Sequence, residues 1–247
     1  MKLHLPHLLR SVHRTYSTIP YSADNGKRLA ALAAIRECFP SIPPKLVGIG
    51  SGSTIVHLVQ AIQALPPAQI KTTTFIPTSY QSLQLLLDNN LRVSSIDHVQ
   101  GDLDIVFDGC DQVDPERNCV KGGGGCLLLE KVVAVRGGRF VVVADHTKEV
   151  PQLSGTVPVE VIPLAAAYVL EKLGGRVRQG APGKLGPVVT DQGGFIIDVP
   201  WVDGMGVKEM AERLKNTVGV VEHGIFWEGD RRAERVYVAG PEGVKSF

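Results

Sequence analysis

Short apolar runs alternate with segments of helical periodicity along the first 150 residues of the chain. Runs rich in β-branched and aromatic side chains are typical of buried strands. We predict such strands at 46–50, 72–77, 93–96, 104–107 and 140–144. Apolar positions at helical spacing predict helices at 24–39, 55–64 and 126–133, and another that follows the turn at 78–82 and ends at residue 89. Strands that alternate with helices predict an α/β fold with a doubly wound, mainly parallel sheet.

The pattern changes after Val150, where strands outnumber helices. We predict strands at 158–163, 176–178, 187–190, 195–198 and 219–226, with helices at 164–173 and 207–214. This mixture predicts a second, smaller α+β domain, and the run 235–239 predicts a strand that returns to the first sheet. The predicted organisation is an N-terminal tail, a Rossmann-like catalytic domain in two pieces, and the small domain, at residues 1–22, 23–153 plus 232–247, and 154–231.

Composition and charge exclude several classes of function. The 247 residues are 44% hydrophobic and 21% charged, as in ordinary globular proteins. The formal net charge of +1 gives no strong field for nucleic acid or a membrane surface. No apolar run approaches the length of a membrane-spanning helix. The four cysteines have neither C-x-x-C nor zinc-ligand spacing, so we expect reduced thiols, an intracellular protein and no metal site.

The N-terminal segment leaves the cellular location open. Residues 1–20 contain Lys2, Arg10 and Arg14, and the first acidic residue is Asp24. This composition is similar to that of a mitochondrial presequence, although a disordered tail is the alternative. We expect a cytoplasmic protein, with the mitochondrion as the alternative if this segment is cleaved.

Groups suited to catalysis surround the predicted strand 104–107. Three carboxylates follow at a spacing of three, Asp108, Asp111 and Asp114; Lys121 then opens a run of four glycines, and Glu130 follows. Glycines allow positive φ and let a ligand approach the backbone closely. At the N-terminus of the predicted helix 126–133, free N–H groups and the helix dipole favour an anion. A flexible surface loop is the alternative interpretation. Cys110 and Cys126 flank the site and are interpreted as small space-filling residues.

A second candidate anion site follows the strand 46–50. Ser51-Gly52-Ser53-Thr54 joins this strand to a helix, the arrangement that holds a phosphate. A turn that only caps the helix is the alternative interpretation. The dinucleotide-binding motif G-x-G-x-x-G is incomplete here, because Ser53 occupies the position of its third glycine. The P-loop pattern G-K-[ST] does not occur here either. A monophosphate therefore fits better than a nucleotide. Lys27, near the start of the helix 24–39, opposes the helix dipole. A partner elsewhere in the chain is one interpretation, but a solvated lysine is the interpretation that the single residue favours.

The predicted topology brings these groups together. Ser51 to Thr54, Asp108 to Asp111, and Lys148 all follow the carboxyl ends of predicted parallel strands. Ligands of open α/β sheets bind beyond those ends. We therefore expect one small polar ligand to contact all three segments.

These residues resemble the type A ribose-5-phosphate isomerases, particularly the eukaryotic members, over nearly all of the chain from Lys27 to Lys245. The matching motifs are Gly48 to Thr54, Pro77 to Gln81, Asp108 to Asp111, Lys121 to Gly125 with Glu130-Lys131, and Gly186 to Asp191. The resemblance implies interconversion of D-ribose 5-phosphate and D-ribulose 5-phosphate in the non-oxidative pentose phosphate pathway. It also implies no metal or organic cofactor, and a homo-oligomer, either dimer or tetramer.

The resemblance further implies roles for individual residues. Glu130 matches the base that moves a proton between C1 and C2, and Lys121 matches the cation near the developing oxyanion. Asp108 matches a carboxylate that assists ring opening or hydroxyl proton transfer, and Asp111 matches a residue that positions sugar hydroxyls. The expected substrate-binding residues, including phosphate contacts, are Lys27, Ser51, Gly52, Ser53, Thr54, Gly109, Cys110, Gly122, Gly123, Gly124 and Lys148.

Two other functions remain open at this point. An inactive sugar-phosphate sensor could keep the same pocket, although no helix-turn-helix or basic DNA-binding segment is visible. A nucleotide-dependent oxidoreductase is disfavoured by the incomplete dinucleotide-binding motif. An assay for conversion of ribose 5-phosphate without added metal or nucleotide distinguishes all three.

Overall fold

The structure is a computed structural model that describes residues 21–39 and 42–247. Residues 1–20, on which the prediction of a presequence rests, lie outside the described residues. Within the described part, no helix is both long enough and apolar enough to cross a membrane.

The helices and strands are labelled in chain order. The α-helices of the described residues, α1–α7, are Ala23–Cys38, Ser53–Gln63, Pro67–Ile70, Tyr80–Asp88, Leu127–Val135, Ala166–Leu173 and Val207–Lys215. Short 3₁₀ helices occupy Ile96–His98, His146–Lys148 and Pro163–Ala165. The strands, β1–β13, are Leu46–Ile49, Thr74–Pro77, Ile105–Asp108, Gln112–Val113, Cys119–Val120, Phe140–Asp145, Thr156–Val161, Arg176–Val177, Phe195–Pro200, Val220–His223, Ile225–Phe226, Arg235–Gly240 and Gly243–Ser246.

The principal sheet has six strands in the order β13-β12-β6-β3-β1-β2. Strands β12, β6, β3, β1 and β2 are parallel, and β13 pairs antiparallel with β12 at one edge. The predicted α/β fold with a mainly parallel sheet is confirmed. The strand predicted at 235–239 does return to this sheet, because β12 pairs with β6.

Both faces of the principal sheet are covered, which explains the continuous apolar runs of its strands. On one face, α1 and α2 pack against Val47, Phe107 and Val141. On the other face, α5 contributes Val133 and Ala134 to a second core. Helices on both faces leave the carboxyl ends of the strands as the accessible edge.

Two smaller sheets lie outside the principal one. The first has four antiparallel strands in the order β10-β7-β9-β8, and α6 and α7 contribute to its core. The second has the order β11-β5-β4, so that β11, from the C-terminal part of the chain, pairs with β5. This small sheet determines where the residue after β5, Lys121, is placed.

Three strand predictions were wrong. Val93 forms only an isolated bridge with Phe75, because the polar pair Ser94-Ser95 interrupts the run and a 3₁₀ helix begins at residue 96. The run 187–190 forms only isolated bridges; Pro187 has no N–H to donate.

The third error concerns the run 219–226, which forms two strands rather than one. It divides at Gly224, whose N–H donates to Pro158 O at 2.8 Å and whose O accepts from Lys121 N at 2.8 Å. A side chain there is impossible without movement, because its Cβ would lie 2.0 Å from Lys121 O. The chain therefore passes from the four-stranded sheet to the three-stranded sheet at this glycine.

Candidate active site

A polar cavity of about 160 Å³ lies at the carboxyl ends of the strands of the principal sheet. The turn after β1, the segment after β3 and the 3₁₀ helix after β6 meet there, as the order of the strands requires. Its lining is formed by every predicted site residue except Asp108: Lys27, Ser51, Gly52, Ser53, Thr54, Gly109, Cys110, Asp111, Lys121, Gly122, Gly123, Gly124, Glu130 and Lys148.

Asp108 is fully buried beneath the cavity, at the end of β3. Its Oδ1 accepts hydrogen bonds from Gly109 N at 2.7 Å and Ser51 N at 3.3 Å. The strand ends can approach this closely only because residue 50 is glycine, whose Cβ would lie 1.8 Å from Asp108 Oδ1. The carboxylate therefore acts on the cavity through its neighbours rather than by lining it.

Lys121 joins the acidic groups into one cluster. Its Nζ donates to Gly109 O at 2.7 Å and lies 3.0 Å from Asp108 Oδ2 and 3.3 Å from Glu130 Oε2. The lysine side chain is only 2% exposed, so these interactions are little weakened by water. The three-stranded sheet places it there, because Lys121 directly follows β5.

Burial and charge act in opposite directions on these groups. Burial raises the pKa of Asp108 to about 7; the Lys121 ammonium opposes this rise and the Glu130 carboxylate adds to it. Burial would lower the pKa of Lys121, but Asp108 and Glu130 together raise it above its ordinary value. Lys121 therefore stays charged at neutral pH, while Asp108 lies close to its titration point.

Glu130 lies in the first turn of α5 and is 4% exposed. Its Oε1 accepts a hydrogen bond of 2.6 Å from Ser51 Oγ, while Oε2 faces Lys121. The leucine positions before it include Leu127, which is fully buried and anchors the start of the helix. The side chain is thus held at one rim of the cavity between a hydroxyl and an ammonium.

The glycine run is a hydrogen-bonded turn that leads into α5. Gly125 N donates to Gly122 O at 3.0 Å, and Gly123 N donates to Asp111 Oδ2 at 2.7 Å. Gly122 and Gly125 have φ of 102° and 76°, a range that glycine adopts without strain. The turn therefore orients Asp111 toward the cavity, and the flexible-loop alternative does not describe it.

The opposite end of the cavity has the features of an anion site. Helix α2 begins at Ser53, directly after the turn, so the positive end of its dipole faces the cavity. Lys27 Nζ donates to Ser53 Oγ at 3.0 Å. This contact gives the lysine near the start of α1 a partner, so the interpretation of Lys27 as a solvated side chain was wrong. Lys148 adds a second cation to the lining.

Two residues without a predicted role make hydrogen bonds to turns and helices near the cavity. Gln81 Oε1 accepts from Gly52 N at 2.9 Å and fixes the turn before α2. Asp191 Oδ2 accepts from Tyr80 N at 2.9 Å at the start of α4. Gln81 lies in the motif Pro77 to Gln81, and Asp191 lies in the motif Gly186 to Asp191. These motifs were the only sign in the sequence that the two residues matter, because their spacing does not reveal which segments they contact.

A second cluster of potential metal ligands lies outside the cavity. One ligand atom from each of Glu222, His223 and Asp230 falls within 4.8 Å of the others. The ammonium of Lys131 lies 2.9 Å from Asp230 Oδ2 and 3.9 Å from Glu222 Oε1. A lysine already supplies the positive charge at this position, so the cluster is an ion-pair network, in which Glu222 and His223 are buried and Asp230 is exposed.

The geometry suits proton transfer next to a carbonyl group. The Glu130 carboxylate and the buried Lys121 ammonium lie at one end of the cavity. Hydrogen-bond donors and cations that suit an anion such as a phosphate lie at the other end. A proton next to a carbonyl is weakly acidic, so its removal requires a positioned base and a stabilised oxyanion.

Comparison with known proteins leads to the same chemistry. The family model described as ribose 5-phosphate isomerase A (phosphoriboisomerase A) matches residues 74–243. The ribose-5-phosphate isomerase of Eremothecium gossypii is 44% identical over 219 residues, covering 82% of this chain and 86% of that protein. That of Candida albicans is 38% identical, covering 90% of this chain and 95% of that protein.

Solved structures give the same result. A D-ribose-5-phosphate isomerase in complex with phospho-erythronic acid superposes with a TM-score of 0.83 at 34% identity, covering 92% of this chain and 99% of that one. Ribose 5-phosphate isomerase A from Methanocaldococcus jannaschii gives a TM-score of 0.80 at 32% identity, with coverage of 92% and 99%. The resemblance seen in the sequence is confirmed, and the chain belongs to the ribose 5-phosphate isomerase A family.

Proposed function

We propose that this isomerase interconverts D-ribose 5-phosphate and D-ribulose 5-phosphate in the polar cavity, through an enediolate, with Glu130 as the base. One observation carries the proposal. Glu130 and Asp108 both lie within 3.3 Å of the Lys121 ammonium, and the same cavity ends in the Ser51–Thr54 turn with Lys27 and Lys148. The reacting carbons and the phosphate of one five-carbon chain match these two ends.

In the first step, Glu130 removes the proton from C2 of the open-chain aldose. The electrons of the C2–H bond form the C1–C2 double bond, and the carbonyl electrons move to O1. A positioned base contributes roughly 10²–10⁴-fold to such a step. Protonation of Glu130 removes its attraction for Lys121, 3.3 Å away. The ammonium then becomes available to the new oxyanion, where an aimed donor contributes about 2.7–4 kcal/mol.

In the second step, Glu130 returns its proton to C1. The double-bond electrons form the new C1–H bond, and O2 becomes the carbonyl oxygen. A hydroxyl proton must move from O2 to O1. We assign this relay to Lys121, which lines the cavity and pairs with Asp108 beneath it. Its ammonium gives a proton to O1 and takes the O2 proton in its place. Asp108, with a pKa of about 7, can gain or lose a proton near neutrality and so assists the relay.

The phosphate is assigned to the start of α2, where backbone N–H groups, Lys27 and Lys148 balance its charge. Asp111, held by Gly123 N, is assigned to the sugar hydroxyls between the two ends. A structurally similar isomerase was solved in complex with phospho-erythronic acid. That compound combines a carboxylate with a phosphate, which supports a cavity that accepts a phosphorylated sugar derivative.

The direct test is an assay of ribose 5-phosphate conversion in the presence of a metal chelator and without nucleotide. We expect activity in the wild type and a loss of kcat of at least about 100-fold in Glu130→Gln, with KM little changed. Glu116→Gln, an exposed carboxylate outside the cavity, is the matched control. Substrate binding without turnover in the wild type would instead support a sugar-phosphate sensor.

We also propose that the chain forms a homo-oligomer through an exposed apolar surface beside its four-stranded sheet, around the start of α6 and the residues before β10. Ile162, Leu164, Tyr168 and Val218 are exposed there, and Ile162 N bonds to Gly219 O next to Val218. Exposed apolar groups of this kind favour association between proteins. Sedimentation of the wild type and of Leu164→Lys tests this, with a fall in mass expected for the variant.

The cytoplasm is the location that we propose. Imaging of a fluorescent fusion of the full chain, compared with a fusion that lacks residues 1–20, tests the proposal. Mitochondrial signal that depends on this segment would contradict it.

A further inference from the structure

Arg178 connects the second sheet to the glycine turn of the cavity. It directly follows β8 and does not line the cavity itself. Its Nη1 donates to two successive carbonyl oxygens, Gly122 O at 2.8 Å and Gly123 O at 3.0 Å. These residues are 56 and 55 positions away in the chain. One guanidinium therefore fixes the direction of two neighbouring peptide groups in the turn.

The guanidinium is itself held by Asp198 of β9. Arg178 Nε donates to Asp198 Oδ2 at 3.1 Å, and Nη2 donates to Asp198 Oδ1. Both side chains are largely buried, with 20% and 13% exposure. A two-pronged contact of this kind fixes the plane of the guanidinium as well as its position. One edge of the guanidinium thus bonds to Asp198 of β9, and another bonds to the glycine turn.

The turn that Arg178 holds is the one that orients Asp111. Gly122 O also accepts from Gly125 N, and Gly123 N donates to Asp111 Oδ2 at 2.7 Å. Because the carbonyls of Gly122 and Gly123 are bonded to Arg178 outside the cavity, the N–H of Gly123 remains directed at Asp111. The same turn leads directly into α5, which carries Glu130.

We propose that Arg178, oriented by Asp198, is a positioning residue for the isomerisation, and that it acts by holding the glycine turn and through it Asp111. The inference rests on the proposed function. The role of Arg178 depends on the shape of its guanidinium group as well as on its positive charge. A lysine has a single nitrogen and cannot bond to both carbonyls while also forming the fork with Asp198.

Kinetics of matched variants test this role. We expect Arg178→Gln to lower kcat/KM by roughly ten- to a hundredfold, since small misplacements of substrate-positioning groups have effects of this size. Arg178→Lys should recover little of the loss, and Asp198→Asn should show part of it. Arg176→Gln is the control, because Arg176 is an exposed arginine on β8 and its loss changes the net charge equally; we expect wild-type kinetics.

A double-mutant cycle identifies the route. If Arg178 acts through Asp111, the effects of Arg178→Gln and Asp111→Asn on kcat/KM are not additive. Additive effects, or wild-type kinetics in Arg178→Gln, would overturn the proposal. If Arg178→Gln does not fold, the same cycle is made with Asp198→Asn, and the same outcomes apply.

Hydrogen exchange separates this inference from the proposed function. Exchange of the Gly123 amide is measured without substrate, so it reports on the turn even if the protein has no isomerase activity. We expect faster exchange in Arg178→Gln than in the wild type and Arg176→Gln, with unchanged exchange in β3. Unchanged Gly123 exchange in Arg178→Gln would show that the arginine does not hold the turn.

Discussion

The hydroxyl of Ser51 donates a 2.6 Å hydrogen bond to Oε1 of Glu130, although the two residues are 79 positions apart. Ser51 belongs to the turn after β1, and Glu130 belongs to α5. The bond joins the turn that leads to the anion site with the carboxylate that we assign as the base. Substrate binding and proton transfer therefore depend on one shared contact.

Removing this hydroxyl should lower the rate more than the stability. We expect Ser51→Ala to reduce kcat about tenfold or more, because a hydrogen bond to a charged group contributes about 1.5–3 kcal/mol. Steady-state kinetics and thermal unfolding measure the two effects. Ser154→Ala, at an exposed serine, is the control. A Ser51→Ala enzyme with wild-type kcat would show that the hydroxyl does not orient the base.

The pH dependence of activity should reflect the buried carboxyl group of Asp108. Burial raises the pKa of Asp108 to about 7, so Asp108 becomes ionised, and pairs fully with Lys121, as the pH rises through about 7. We expect kcat/KM to rise over the same range as Asp108 ionises. Asp108→Asn should lower kcat/KM and abolish its rise with pH near 7.

Stability should change with pH in the opposite direction. The folded protein favours protonated Asp108 more than the unfolded chain does, so this residue's contribution to the free energy of unfolding falls as the pH rises from about 4 to about 7. Urea unfolding of the wild type and of Asp108→Asn across this range measures the contribution. The slope attributed to Asp108 should be absent in the variant, and an identical slope in both proteins would contradict the assignment.

Close approach of the strand ends makes residue 50 sensitive to any side chain. A Cβ there would lie 1.8 Å from Asp108 Oδ1, so Gly50→Ala must displace Asp108 or the turn. We expect a loss of kcat/KM of at least about tenfold, together with destabilisation of about 1–3 kcal/mol. Gly206→Ala is a suitable control, since a Cβ there meets only Glu209 Oε2 at 3.9 Å. If the two variants had the same kcat/KM and the same stability, a Cβ at residue 50 would not disturb Asp108.

Lys131 should matter for stability rather than for chemistry. Its ammonium is buried between Asp230 and Glu222 and lies 4.3 Å from the centre of the Phe226 ring. Because Lys131→Met leaves both acids without this partner, we expect a loss of about 3–5 kcal/mol in the free energy of unfolding. Lys208→Met breaks an exposed pair with Glu212 and should cost no more than about 1 kcal/mol. Chemical denaturation of both variants measures the difference.

The sequence was most informative where parallel strands end. The groups at Ser51, Asp108 and Lys148 follow apolar runs that could be recognised as buried strands, and a parallel sheet brings such ends to one edge. The glycine run before α5 was also interpretable, since positive φ and an adjacent helix start leave few conformations. The cavity could therefore be assembled from local patterns together with a single topological rule.

Long-range pairing was much less predictable. Lys121 reaches Asp108 and Glu130 because β5 pairs with β11, more than a hundred residues later in the chain, and no local pattern encodes that pairing. The support from Arg178 and Gln81 depends likewise on contacts between distant segments. The sequence identified Asp108 as a site residue but not its complete burial, because burial depends on how the neighbouring turns close over it.

Deuterium exchange followed by NMR tests the role of Glu130 most directly. Ribose 5-phosphate is incubated in D₂O with wild type, Glu130→Gln or Glu116→Gln, and loss of the C2 proton signal is followed while substrate binding is measured separately. We expect rapid loss with wild type and Glu116→Gln, and loss at least about 100-fold slower with Glu130→Gln at similar substrate affinity. Loss at the wild-type rate in Glu130→Gln would contradict the assignment of this carboxylate as the base.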